Sequence, residues 1–160
     1  MNKRFWVEVR VSYDGVTEKG EKTNMKETWL VRAATFAEAE SRATEEVCAA
    51  YNGVENVGVE ACVKRNIDAL LVSSLNGELG KFYKVRCEGL LVNETTGKER
   101  IVKRNYLILS PNMIKAYETL FKCMRDSEFC KIEVLGINLT PIVEILSDHE
   151  KISRLYTINH

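Results

Sequence analysis

The chain has 160 residues with 23 basic and 23 acidic side chains, so its formal charge is zero. That balance argues against a protein that coats nucleic acid by bulk charge. Hydrophobic residues make up 45% of the chain, which is typical of a soluble globular protein. No apolar run approaches the roughly 20 residues that span a bilayer, and no signal peptide precedes the first strand pattern. We therefore expect a cytoplasmic protein with no membrane partner.

The first predicted elements are two strands that form a hairpin. Alternating apolar and polar residues over Phe5–Tyr13 predict a strand with one dry face and one wet face. A polar, glycine-containing loop follows. The return strand, Met25–Ala34, carries the run Trp29–Val31. Because this run is apolar on both faces, it is typical of a central, covered strand.

A helix is predicted next, over Thr35–Tyr51. Thr35 and Glu38 have the spacing of a capping box, in which each side chain accepts a hydrogen bond from the other residue's backbone N–H. Gly53 follows the helix and is suited to the left-handed conformation that ends many helices. A third strand and a short apolar run, Ala69–Val72, complete this set of elements.

The same order of elements recurs in the second half of the chain. Adding 77 to each residue number of the first apolar helix stripe gives a second stripe with identical spacing. The two stripes are Phe36, Ala39, Ala43 and Val47, and Met113, Ala116, Leu120 and Met124. Pro111 is predicted in the first turn of the second helix, with Ser110 or Asn112 as its N-cap.

This recurrence predicts an α+β fold built by internal duplication of a β-β-α-β(-β) unit. We expect pseudo-twofold symmetry with the helices packed on antiparallel sheet. The predicted boundaries are residues 1–76 for the first repeat, 77–148 for the second repeat and 149–160 for a C-terminal tail. A single copy of this size would be marginally stable, so we expect the two copies to depend on each other.

The hydrophobic pattern, the aromatic strand openings RFWVEVRVSY and KFYKVRC, and the helix start at Thr35–Glu40 resemble one known family. It is the domain-of-unknown-function family numbered 4494, small proteins of gut Bacteroidetes and their phages. The resemblance covers the chain up to about Asp148. It implies a cytoplasmic setting in bacteria or phages, and it carries over no activity and no catalytic residues.

The residues that usually carry catalysis are poorly placed. The two histidines, His149 and His160, lie in the tail, although general bases and metal ligands are commonly histidine. The five cysteines lack a CxxC pair and predict small buried hydrophobes in a reducing compartment. Phosphate-binding glycine loops are missing. We therefore expect no catalytic residue, no metal site and no cofactor.

A basic hairpin in the second repeat is the best positive signal. Residues 81–104 hold seven basic and three acidic side chains. A sheet face that combines cations with an aromatic ring can hold a nucleic-acid backbone and stack a base. The alternative is that basic residues near a sheet edge block aggregation. The candidate nucleic-acid-binding residues are Lys84, Arg86, Lys98, Arg100, Lys103, Arg104 and Tyr106.

These patterns predict a non-enzymatic binding or interaction protein whose partner is unknown. The first alternative is a nucleic-acid-binding accessory protein that uses the basic hairpin. The second is a protein that sequesters a nucleotide-like small molecule in a groove between the copies. Nucleic acid and protein both stay open as partners. Homo-oligomerisation also stays open, because a second chain could cover the Trp29–Val31 run, which is apolar on both faces.

Overall fold

The computed structural model describes residues 3–125 and 127–156. Within these residues the chain forms two helices and nine strands, and the α+β prediction is confirmed. In chain order the elements are β1 (Phe5–Val16), β2 (Lys22–Ala33), α1 (Phe36–Ala50), β3 (Glu55–Arg65), β4 (Ala69–Val72), β5 (Lys81–Val92), β6 (Glu99–Ser110), α2 (Met113–Met124), β7 (Lys131–Leu139), β8 (Ile142–Leu146) and β9 (Lys151–Ser153).

Two compact units divide the chain. Unit 1 contains Met1–Asn66 and Pro141–Ser153, and unit 2 contains Ile67–Thr140 and Arg154–His160. Each unit therefore holds the hairpin, helix and third strand of one predicted repeat. The short strand β4 ends the first predicted repeat but belongs to unit 2, whereas β8 lies at the end of the second predicted repeat and belongs to unit 1. The duplication itself stays a prediction.

Unit 1 is a sheet with the strand order β3-β1-β2-β8-β9 and one helix on one face. Alternate residues of β1, from Val7 to Tyr13, face α1 and are buried together with Ala39, Ala43 and Val47. Full burial of one valine side chain contributes roughly 1.5–3 kcal/mol. The apolar face of β1 and the apolar stripe of α1 therefore pack against each other, as the two-residue period of a strand and the 3.6-residue period of a helix predict.

The central strand β2 is covered as the sequence predicts. Trp29, Leu30 and Val31 are all fully buried, although successive strand residues point to opposite faces. Trp29 and Val31 pack in the core beneath α1, and Leu30 lies on the other face. Trp29 sits opposite Val9 in the antiparallel register of β1 and β2.

Unit 2 is a sheet with the strand order β4-β6-β5-β7. Its core combines Tyr83, Val85 and Cys87 of β5 with the buried residues of α2, which are Ala116, Leu120 and Met124. The last three positions of the helix stripe are therefore buried in both units. Phe36 and Met113, the first residue of each stripe, are both 46% exposed.

The sheets are mixed: the predicted antiparallel pairing holds for the long strands, and two short strands add parallel pairs. The long strands pair antiparallel, but β8 pairs parallel with β2, and β4 pairs parallel with β6. Each short strand enters its sheet from a distant part of the chain. Such long-range pairings leave no local signal in the sequence, because a short apolar run fits either direction.

The helix starts also differ in detail from the prediction. Thr35 caps α1, and its Oγ1 accepts a bond from Glu38 N at 3.0 Å. The Glu38 carboxylate accepts from Ala34 N at 2.8 Å, not from Thr35 N as predicted. Arg4 donates to the same carboxylate at 2.9 Å and holds it over the residue before the cap. Both bonds lower the pKa of Glu38.

The predicted place of Pro111 in the first turn of α2 is wrong. Asn112 is the N-cap, and its Oδ1 accepts from Lys115 N at 2.9 Å, so Pro111 lies one residue before the cap. Ser110 cannot take that role, because its hydroxyl donates to the Asn112 carbonyl at 2.8 Å.

The two tryptophans provide a test of the unit 1 core. Trp29→Ala removes a fully buried ring and is expected to lower the free energy of unfolding by about 3–5 kcal/mol. Trp6→Ala is the matched control, because Trp6 is half-buried on the opposite face beside Arg32. Urea denaturation followed by circular dichroism measures both. Equal losses in the two variants would contradict the packing described.

Candidate binding surface

The β5–β6 hairpin holds the predicted basic residues. A tight turn closes it, in which Gly97 has a φ of +71° and donates to the Asn93 carbonyl at 2.7 Å. Asn93 Oδ1 also accepts from Thr95 N and Thr96 N. Lys98 follows this turn and is exposed. The turn sets the antiparallel register, and the register decides which face each cation occupies.

The structure divides the predicted residues between the two faces of the sheet. Arg104 lies opposite the core residue Cys87, which puts it and Arg100 on the face that carries α2. Lys103 lies opposite Glu88 on the other face. Lys84 and Arg86 share that face with Lys103, because alternate residues of a strand point the same way. The predicted site is therefore two smaller cationic clusters.

Tyr106 lies in the core of unit 2 and presents no ring to the surface. It is 6% exposed, and its hydroxyl lies 3.7 Å from Met124 Sδ. Burial raises the pKa of Tyr106 to about 12. The sequence shows an aromatic residue next to cations, but only the register reveals that its ring points under α2.

Ion pairing differs between the units. Unit 1 carries a sequence charge of −3, with 11 Lys/Arg and 14 Asp/Glu, and unit 2 carries +3, with 12 and 9. Among the described residues, the ion pairs all lie in unit 1: Arg4 with Glu38 and Asp148, Lys22 with Glu55, Lys26 with Glu60, Arg65 with Glu8, and Lys151 with Glu46. The cations of the β5–β6 hairpin form no ion pair with a described carboxylate.

Arg86 has a distinct position among these cations. It lies directly opposite Gly136 of β7, the outermost strand of the sheet. A Cβ atom at Gly136 would lie 3.3 Å from Arg86 Nη2, so the guanidinium group extends across β7 in the space that a side chain would fill. Arg86 is exposed. A cation therefore lies over an edge strand of this sheet.

The outer faces of the two helices differ in chemistry. At the positions where α1 carries Ala37, Glu40 and Thr44, α2 carries Ile114, Tyr117 and Phe121, which we call the α2 stripe. Ile114 is 73% and Tyr117 44% exposed. The Tyr117 and Phe121 rings contact each other, with centroids 4.6 Å apart.

The helices also sit differently on their sheets. α1 packs across β1, β2 and β3, whereas α2 packs mainly on β6 and β4. On the β4 side, the hydroxyls of Ser73 and Thr119 share a hydrogen bond of 2.7 Å. Because successive helix residues are 100° apart, Tyr117 lies on the opposite side of α2 from Thr119. The α2 stripe thus lies on the side of β7.

The chain belongs to a family of unknown function. The profile described as Domain of unknown function (DUF4494) matches residues 5–149, which is most of the chain and agrees with the resemblance seen in the sequence. This is a DUF4494 protein. No curated protein matched the sequence.

Cysteine placement in the DUF4494 protein corrects one prediction. Cys87 is buried, but Cys48, Cys123 and Cys130 are exposed, so most of the thiols are not buried hydrophobes. Cys48 follows the core residue Val47, so its side chain is rotated by about 100° around the helix from the side chain that packs on the sheet. Burial, reinforced by Glu40, raises the pKa of Cys62 to about 11, which opposes thiolate formation.

The remaining chemistry-bearing groups do not converge into a metal site in the part of the chain that the structure describes. His149 is exposed, and His160 lies outside the described residues. The described helices are too short or too polar to cross a bilayer.

One acidic group in unit 1 of the DUF4494 protein is electrostatically strained. Glu144 lies opposite Trp29 in the β2–β8 register, and its Oε2 atom is buried without a hydrogen-bond partner. Burial raises the pKa of Glu144, and the nearby Lys151 opposes that shift. Because the folded pKa exceeds the unfolded one, stability from this group is present at acidic pH and is lost as pH rises through the folded pKa.

Glu144→Gln is therefore expected to raise the melting temperature at neutral pH, by about 2 °C, because it removes a poorly solvated charge. The gain is expected to vanish under acidic conditions, where Glu144 is protonated in both states. Glu45→Gln, at an exposed position on α1, is the control. Thermal melts of the three proteins across a pH series measure the effect, and a pH-independent gain would contradict the assignment.

Proposed function

We propose that this DUF4494 protein is a non-enzymatic interaction protein of the cytoplasm, and that unit 2 binds an anionic protein partner. The observation that carries the proposal is the contrast in ion pairing between the units. Unit 1 neutralises many of its cations internally, whereas the cations of the β5–β6 hairpin lack described carboxylate partners. Cations without internal partners are available to external carboxylates and speed their encounter.

Two further features support this proposal. The apolar α2 stripe lies on the same face of the sheet as Arg100 and Arg104, and an apolar patch together with charge is typical of a protein interface. The five cysteines are unpaired thiols, which fits a reducing compartment such as the cytoplasm. A bacterial or phage setting, which the resemblance implies, belongs to the same proposal.

A labelled poly-glutamate peptide tests the proposal by fluorescence anisotropy. The full chain is expected to bind it at low salt and to release it progressively as salt rises. Replacing Arg86, Arg100 and Lys103 together by alanine is expected to weaken binding about tenfold or more. The control replaces Arg10, Lys19 and Lys64 of unit 1, which changes net charge equally. Equal loss in both variants would show that total charge, not unit 2, governs binding.

Nucleic acid is a second candidate partner, favoured by the placement of β6. This strand pairs with β4 only from Tyr106 onward, and Asn105 is bonded to Asp68, so residues 99–104 form a sheet edge that carries Arg100, Lys103 and Arg104. Cations at such an edge can follow a phosphate backbone. The sequestering of a nucleotide-like molecule stays a prediction from the sequence.

Alanine at Arg100, Lys103 and Arg104 is expected to weaken binding of a labelled single-stranded RNA if nucleic acid is the partner. The slope of log affinity against log salt is then expected to fall by about 2. RNA binding that is undetectable at low salt, or unchanged in this variant, would remove the second candidate.

A further inference from the structure

The strand β7 ends its sheet and leaves backbone groups directed outward. Thr140 N donates to the Phe82 carbonyl of β5 at 3.0 Å. In an antiparallel ladder, alternate residues direct their N–H groups to the same neighbour. The N–H groups of Ile137 and Leu139 consequently point away from β5. No other strand of the described chain pairs with that side.

β7 carries the charged residues Lys131 and Glu133 near its start, but the rest of the strand has no charged side chain, whereas β3 at the corresponding edge of unit 1 is charged at both ends. On β3, charged side chains form ion pairs with other strands of the sheet, namely Glu60 with Lys26 of β2 and Arg65 with Glu8 of β1. On β7, Leu135 is 47% and Leu139 57% exposed. Sheet edges are commonly blocked by charge because an apolar edge invites strand addition. The β7 edge is open to such an addition.

The side chains on the two faces of the sheet at β7 indicate which side chains an added strand would present to each face. On the helix side lie the α2 stripe and the partly buried apolar residues Val134 and Ile137. On the other side the Arg86 guanidinium lies over Gly136 of this edge strand. Successive residues of a strand point to opposite faces. A matching strand therefore alternates apolar side chains toward α2 with acidic ones toward Arg86.

We infer that β7 and α2 form a docking site for an extended segment of a partner protein with alternating apolar and acidic side chains. The segment adds a strand to β7, which is a known mode of peptide recognition. Charge favours this occupant over a second copy of the chain, because a copy joined edge to edge would bring one +3 unit against another. The inference rests on the proposed function and names its partner.

The test uses a labelled peptide of alternating valine and glutamate with the full chain. An alternating serine–glutamate peptide has the same charge without the apolar side chains. The double variant Tyr117→Glu with Phe121→Thr gives α2 the residues that α1 has at these positions. Leu139→Pro removes an outward N–H without losing a ladder bond. Val63→Thr, at an exposed position of β3, is the matched control.

We expect saturable binding of the valine–glutamate peptide and weak binding of the serine–glutamate peptide. The double variant and Leu139→Pro are each expected to weaken binding about tenfold, and Val63→Thr is expected to leave it unchanged. Arg86→Gln is expected to weaken the valine–glutamate peptide but not a valine–serine peptide. Circular dichroism checks that each variant folds, and the double variant changes only side chains outside the helix core.

Four results would overturn the inference. Equal affinity for the two acidic peptides, or undiminished binding by the double variant, would remove the docking site while leaving the anionic-partner proposal intact. Failure of both acidic peptides to bind would remove both proposals. A concentration-dependent dimer in analytical ultracentrifugation, abolished by Leu139→Pro, would assign the edge to a second copy of the chain.

Discussion

Burial of one helix stripe against the dry face of a long hairpin holds each unit together. In unit 1 the stripe is Ala39, Ala43 and Val47, and in unit 2 it is Ala116, Leu120 and Met124. Each stripe occupies one side of its helix, and alternate strand residues supply the other half of the core. Because the helix buries one face of the strands, the alternate side chains of each strand lie on the opposite face of the sheet.

The residues outside these stripes are where the two units differ. Positions 37, 40 and 44 of α1 are small or polar, whereas the α2 stripe is apolar and aromatic. None of these positions supplies a fully buried core residue, so packing does not require the difference. Charge follows the same division, since several cations of unit 1 form ion pairs, whereas those of the β5–β6 hairpin form none with a described carboxylate. The external partner that we propose for unit 2 would account for both differences together.

Local signals in the sequence predict the elements well. Alternation predicts β1 and β5, the Thr35 cap predicts the start of α1, and the run Trp29–Val31 predicts a covered central strand. These signals work because each depends on residues within one or two turns of the chain.

Features that depend on distant pairing escape such analysis. The parallel pairing of β4 and β8, the division of the basic residues between two sheet faces and the burial of Tyr106 all follow from registers set between separate segments. The candidate site was missed for the same reason. Tyr117 and Phe121 fit an ordinary helix pattern, and only the placement of α2 on its sheet shows that the exposed Tyr117 and the half-buried Phe121 lie on the side of the open β7 edge. The one available signal was the comparison of α1 with α2 at equivalent positions.

The most direct measurement is residue-resolved amide hydrogen exchange of the full chain, with and without the valine–glutamate peptide. The account expects the Ile137 and Leu139 amides to exchange rapidly alone and to become strongly protected when the peptide is bound, because the added strand accepts their hydrogen bonds. Saturable peptide binding that leaves both amides exchanging at their original rates would contradict it.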